Sequence, residues 1–170
     1  MAYLDILNRI GLLIGGSQPN AAESPYFYSG VQVGDGTGVQ GIQGAYSIPP
    51  ETLPDPPVAL VLPDGFELGG TGHREVLMQG NEYNEDEIKI WLLLWRNDAP
   101  TQFSSLVPFR DLIPALFRGH MQLNGLTDTD AFVVRGHVSV MRWAGIDYLG
   151  WEFILRVRQV LVVAYSDPGP

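Results

Sequence analysis

The chain has 170 residues, 19 acidic and 10 basic, for a formal net charge of −9. A chain of that length suits one domain and can bury about two-thirds of its unfolded surface without metal or disulfide support. The absence of cysteine excludes disulfides, thiol catalysis and cysteine-ligated zinc or iron–sulfur clusters. So few cations, with Lys89 the single lysine, exclude a broad nucleic-acid-binding surface, which needs clustered Lys and Arg.

With 17% charged residues, 20 Gly and 13 Pro, the composition favours β-structure with long loops over a helical bundle. At the N-terminus, Leu4, Ile6, Leu7, Ile10, Leu13 and Ile14 recur at helical spacing, and Gly15-Gly16 ends the pattern. Asp5 and Arg9 interrupt the run and no cationic region precedes it, so a short amphipathic helix is predicted rather than a signal peptide. No window of ~18 uninterrupted apolar residues occurs, and the expectation is a soluble protein made in a cytoplasm. Residues 15–57 are rich in Gly, Pro, Ser and Gln and read as an extended arm or inserted loop of a single domain spanning 1–170. Within it, Tyr26-Phe27-Tyr28 and the alternation Val31-Gln32-Val33 have strand character. The three aromatic rings are expected to cover either the domain's own sheet or a neighbouring subunit.

Regular structure is predicted from residue 58. Val58–Leu62 reads as a strand stopped by the turn signal Pro63-Asp64-Gly65, and Arg74–Gln79 as a second strand. Asn81–Glu87 reads as a solvated acidic turn, followed by a strand from Ile88 to Trp95 that is buried on both faces. Leu106, Phe109, Ile113, Leu116, Phe117, His120 and Met121 mark one long helix. Ser104 or Ser105 is expected to cap it, Pro108 to fall in its first turn, Pro114 to kink it, and Asn124-Gly125 to stop it. Phe132–Trp143 and Gly150–Tyr165 are long strands joined at Ala144–Asp147. Phe153, Leu155 and Val157 face one way, and Glu152, Ile154, Arg156 and Arg158 the other. Strands of that length are expected to project beyond their own core. The fold class is therefore α+β: a mixed or antiparallel sheet with a long C-terminal hairpin, one main kinked helix packed on it, a short N-terminal helix and a Gly/Pro-rich arm.

Chemical motifs are weak. Gly36-Thr37-Gly38-Val39-Gln40-Gly41 matches G-x-G-x-x-G, but Pro49-Pro50 forbids the helix that a phosphate site requires, leaving a flexible glycine loop. His73, His120 and His137 fall on three different elements without metal-ligand spacing, and Glu82, Glu85, Asp86 and Glu87 lack the order of a calcium loop. No nucleophile elbow occurs. No catalytic residue, cofactor or metal is expected. Charge is unevenly placed: residues 10–73 carry six acids and no base, whereas seven arginines lie between 96 and 158. Subunits built this way suit head-to-tail pairing through opposite charge, and the same arginines equally suit a half-exposed sheet on which they snorkel. A different class, a monomeric carbohydrate- or ligand-binding β-module, would use Trp91, Trp95, Trp143 and Trp151 for stacking.

The order of helix, arm, three strands, kinked helix and two long strands resembles the tail terminator and head–tail connection proteins of long-tailed bacteriophages. The likeness is carried by Leu4–Ile14, Val58–Leu62, Ile88–Trp95, Ser105–Leu123, Phe132–Trp143 and Gly150–Tyr165. It implies a non-enzymatic subunit of a hexameric ring at the virion neck, assembled in the host cytoplasm. The ring would terminate the tail tube and meet a head-side connector, with DNA passing through unbound; a head-closure or stopper ring is the alternative role. On this reading Trp151, Ile154, Arg156 and Arg158, with Tyr26, Phe27 and Tyr28, are the subunit contacts. Glu82, Glu85, Asp86 and Glu87 are the lumen or docking loop.

Overall fold

The structure, a computed structural model, describes residues 3–16, 24–29, 38–39, 41–53, 55–68, 81–95, 99–123, 125–126 and 129–162. The predicted strands Val31–Val33 and Arg74–Gln79, and His73, lie outside the described residues.

The first helix, α1 (Tyr3–Gly15), follows the predicted stripe, with Ile6, Leu7, Ile10, Leu13 and Ile14 buried. Leu4 is 37% exposed, because the apolar face is narrower than the sequence pattern implies. The helix stops where Gly16 takes a φ of 80°, and its N–H donates to the Leu12 carbonyl at 2.7 Å. A helix end leaves its last carbonyls without partners. Here the N–H groups of Gly38 and Val39 donate to the carbonyls of Leu13 and Ile14 at 2.7 and 2.8 Å. The described part of the glycine motif is thus tied to α1, with Val39 buried beside it.

Two short strands come from the Gly/Pro-rich stretch, β1 (Phe27–Tyr28) and β2 (Gly44–Tyr46). They join β3 (Val58–Leu68), β4 (Asn81–Trp95), β5 (Thr129–Trp143) and β6 (Ile146–Val162) in one sheet of order β1-β2-β3-β4-β6-β5. All neighbours are antiparallel except β2 and β3. The architecture is the expected α+β one.

Several boundaries differ from expectation for physical reasons. Pro63-Asp64-Gly65 is not a turn: β3 continues through it to Leu68, with a register shift against β4 between Pro63 and Gly65. A bulge absorbs the proline, which has no N–H to give the ladder. Asn81–Glu87 is likewise no turn but the first half of β4, opposite Arg156–Val162 of β6. Local polarity favours a loop there, but arginines opposite the acids make a charged strand face tolerable. The C-terminal hairpin does not project. Its second strand, β6, lies between β4 and β5 and is paired with β4 over residues 148–162. Its turn is the two-residue Ala144-Gly145, both with positive φ (50° and 80°), the backbone that matches strand twist.

The helix predicted over Ser105–Leu123 is α3 (Phe109–Gly119), and a helix the sequence pattern did not indicate, α2 (Ala99–Leu106), leads into it across a bend. The break falls at Val107-Pro108, not at Pro114, which α3 accommodates in its interior. Pro108 has no N–H to extend the α2 ladder, while its φ of −59° is already helical and starts α3. Ser104 and Ser105 are therefore inside α2 and do not cap it. The helix ends at His120, before Asn124-Gly125, and Met121 is exposed rather than on the inner stripe.

The core fills the helix-covered face of the sheet. Val61, Ile90, Leu92, Phe153 and Leu155 meet Ile10 and Ile14 of α1 and Ile113 and Phe117 of α3. A smaller cluster on the other face gathers Phe27, Tyr46, Val58, Leu60, Leu93, Met141 and Tyr148, reaching from β1 across the sheet to β5.

Candidate functional site

The side of the sheet away from the helices carries most of the organised charge. Glu85 and Glu87 of β4 stand directly opposite Arg158 and Arg156 of β6. Arg156 reaches Glu85 Oε1 through Nε and Glu87 Oε1 through Nη2, both at 2.8 Å. Arg158 Nε donates to Glu85 Oε2 at 2.8 Å, and its guanidinium lies 5.5 Å from the Phe132 ring centre. One strand pair over, Lys89 Nζ pairs with Asp64 at 2.7 Å, and this bond holds the ammonium pKa above its ordinary value. Glu152 accepts from Trp91 Nε1 at 2.7 Å and stands 3.7 Å from His137 Nε2. Acid and base thus face each other across β3, β4 and β6 in charge-assisted contacts. The pattern is readable in the sequence as two acids and two arginines at i, i+2 on separate strands, once the strands are known to pair.

The residues expected at subunit contacts are also bonded within their own chain. Arg156 and Arg158 are engaged by acids of their own chain, the same acids expected to form a lumen or docking loop. Glu85, Asp86 and Glu87 sit in a strand, as does Glu82 opposite Leu161, so no acidic loop exists at this position. Ile154 is buried between Lys89 of β4 and Arg135 of β5 in register. Phe27 stacks on Tyr46 with ring centres 4.4 Å apart, and Tyr28 lies against Gly11 of α1. Both are buried by their own chain, because β1 is part of the domain's sheet. Tyr26 is half-buried and its carbonyl accepts from the Ser47 N–H. Trp151 stacks on Phe153 and donates from Nε1 to the last carbonyl of α2, Leu106, at 2.8 Å. Trp91 and Trp143 meet edge to face, and the Trp143 indole donates to the Pro50 carbonyl at 3.0 Å. The indole N–H groups of Trp91, Trp143 and Trp151 are all spent on the fold.

Asp86 lies on the other, helix-covered face and is only 4% exposed. Gln159 Nε2 donates to it at 3.1 Å. Burial pushes its carboxyl pKa up, and the Gln159 bond opposes this without cancelling it. Burial, with the charge of Asp86 next, pushes the Tyr3 hydroxyl up to about 12. Folding therefore disfavours the Asp86 carboxylate. That cost is absent below the ordinary carboxyl range and complete once pH passes the raised value, so stability falls as pH rises through that window. Asp86→Asn keeps an acceptor for Gln159 and is expected to raise Tm by a few degrees at neutral pH. The gain should vanish in acid near pH ~2, below the ordinary carboxyl range, where the wild-type group is protonated in both states. Equal Tm values for the two proteins at neutral pH would contradict it.

His137 is on the open face and His120 is the C-cap of α3. His120 also lines a cleft of about 450 Å³ with Arg118, Met121, Gln122 and Asp130. Among the described residues, no group of three His, Asp or Glu side chains could hold a metal ion. No helix is long and apolar enough to cross a membrane among the residues described. No protein-family model matches this chain, and a search of curated proteins finds no match to it.

Proposed function

We propose that this protein is a structural subunit of a ring at the neck of a long-tailed phage virion, where it terminates the tail tube and offers a surface to the head-side connector. It works by assembly and not by catalysis, needs no cofactor, and lets DNA slide through a lumen whose acidic balance repels phosphate. The observation that carries this reading is the uneven placement of charge. Among the described residues, the exposed charges of α1 and of the segment leading into β3 are acidic, Asp5, Glu51 and Asp55, with half-buried Arg9 near Tyr28 of β1 and Glu51 following Pro50, which bonds Trp143 of β5. The flank of α3 and β5 presents Arg110, Arg118 and Arg135 against Asp111 and Asp130. A ring closes through heterologous contacts, which need two different and complementary patches on each subunit. The tryptophans weigh against a carbohydrate-binding module, since Trp91 and Trp143 pack on each other, Trp151 stacks on Phe153, and stacking on a sugar requires a free indole face.

Native mass by light scattering, at two concentrations and with purified tail tubes added, tests the reading. A six-subunit species, alone or on the tubes, is expected. A monomer under every condition overturns it. A ring that binds the head-side connector but not tail tubes reassigns the role to head closure.

A further inference from the structure

The connection between β2 and β3 is much longer than the gap it closes. In this parallel pair Gly44 stands beside Val58 and Tyr46 beside Leu60, so re-entry lies one strand over and two residues back. That is about 8 Å, which three or four residues span. Eleven are used instead, residues 47–57, and five of them are proline: Pro49, Pro50, Pro54, Pro56 and Pro57. The excess carries Pro50 to β5, which neighbours neither β2 nor β3 in the sheet, and there the Trp143 indole N–H donates to the Pro50 carbonyl at 3.0 Å. Leu53 packs, as Trp91 and Trp143 do, against the open-face cluster that includes Met141 and Tyr148. Among the described bonds, none joins a backbone group of residues 48–56 to another backbone group, and Ile48, Glu51, Thr52 and Asp55 are exposed. An indole bond to a carbonyl, with apolar contact beside it, is how aromatic surfaces take proline-rich segments. Proline suits the role because its fixed φ lowers the cost of ordering the bound chain.

We propose that the surface around Trp143 is a docking site for a proline-rich segment of a partner polypeptide, and that the chain's own residues 48–53 hold it until that partner displaces them. The segment already seated there defines the chemistry that fits: a proline whose carbonyl meets the Trp143 indole, and a leucine three residues further on. Its release breaks no strand pairing, because β2 and β3 pair through residues 44–46 and 58–60. A tethered occupant competes at an effective concentration in the millimolar range, so it sets a threshold that an incoming segment has to exceed. The proposal stands apart from the ring reading, since it needs no second copy of this chain.

The probe is a fluorescein-labelled peptide of residues 47–57, read by anisotropy against wild type and against the double variant Pro50→Gly with Leu53→Ser, which frees the seat. The double variant is expected to bind the peptide at least about tenfold more tightly than wild type, because no tethered segment competes there. A peptide with its prolines changed to alanine, and the double variant carrying Trp143→Phe as well, are each expected to lose binding by a similar factor. No saturable binding to the folded double variant, or equal binding of the two peptides, would overturn the proposal. Should the double variant not fold, wild type decides the matter. Millimolar unlabelled peptide is expected to shift the Trp143 indole N–H resonance and leave that of Trp151 in place, and an unmoved Trp143 signal overturns the proposal. A wild-type dimer by light scattering that the double variant lacks would give the seat to the same segment of a second copy, and would overturn the assignment to a partner polypeptide.

Discussion

Gly150→Ala is expected to destabilise the protein by about 3 kcal/mol, roughly 6–12 °C in Tm for a chain of this size. A β-carbon at Gly150 would collide with the backbone carbonyl of Leu92 and come within 2.7 Å of Met141 Cε. Met141 can move its flexible end. The Leu92 carbonyl cannot, because β4 is held by β3 on its far side. Nor can β6 back away, since β5 pairs with it through Ser139 at the same position. The collision is therefore with backbone, inside the most constrained strand of the sheet. Urea unfolding measures it: the midpoint should fall with the slope unchanged. A loss under ~0.5 kcal/mol, the range of ordinary surface changes, would show that the β4–β6 register differs from the one described.

Phe117→Ala should cost about 3–5 kcal/mol, and Phe103→Ala no more than ~0.5 kcal/mol. Both aromatics belong to the same bent helix, but Phe117 of α3 is 0% exposed and Phe103 of α2 is 56% exposed. Removing Phe117 leaves a cavity between α3 and the sheet beside Ile113. Removing Phe103 leaves solvent where there was solvent. Thermal melts of the two variants thus check which way each half of the helix faces. Similar losses at both positions would refute the bend at Val107-Pro108, because fourteen residues are close to four turns and one straight helix would put both rings on the same face.

Helix α1 was legible because five of its apolar residues share one face, a periodicity no strand can satisfy. The turn between β5 and β6 was legible as Ala144–Asp147, longer than the two residues observed because β6 begins at Ile146, and the alternation of Phe153, Leu155 and Val157 against Ile154, Arg156 and Arg158 is the one the sheet displays. The bent helix was legible as a helix, but two prolines compete for the bend and spacing does not rank them. The acidic stretch was misread because solvation and cross-strand pairing demand the same residues. Glu85 and Glu87 look like a loop until Arg156 and Arg158, about seventy positions away, are placed opposite them. The candidate site shares that difficulty, since each of its bonds joins residues remote in sequence.

What local pattern settles is whatever a single segment can satisfy alone: the stripe of α1, the two-residue period of β6, the positive φ that Gly145 accepts, the exclusion of thiol chemistry by the lack of cysteine. Long-range pairing settles the rest. β6 lies at the interior of the sheet and β5 at its edge because β4 takes one side of β6 along its length, leaving one strand of the hairpin unpaired. Asp86 and Glu87 are sequence neighbours with opposite fates, one under the helices and one bonded to Arg156 on the open face. A pleated strand sends adjacent side chains to opposite faces, and only the packed helices decide which of those faces is dry.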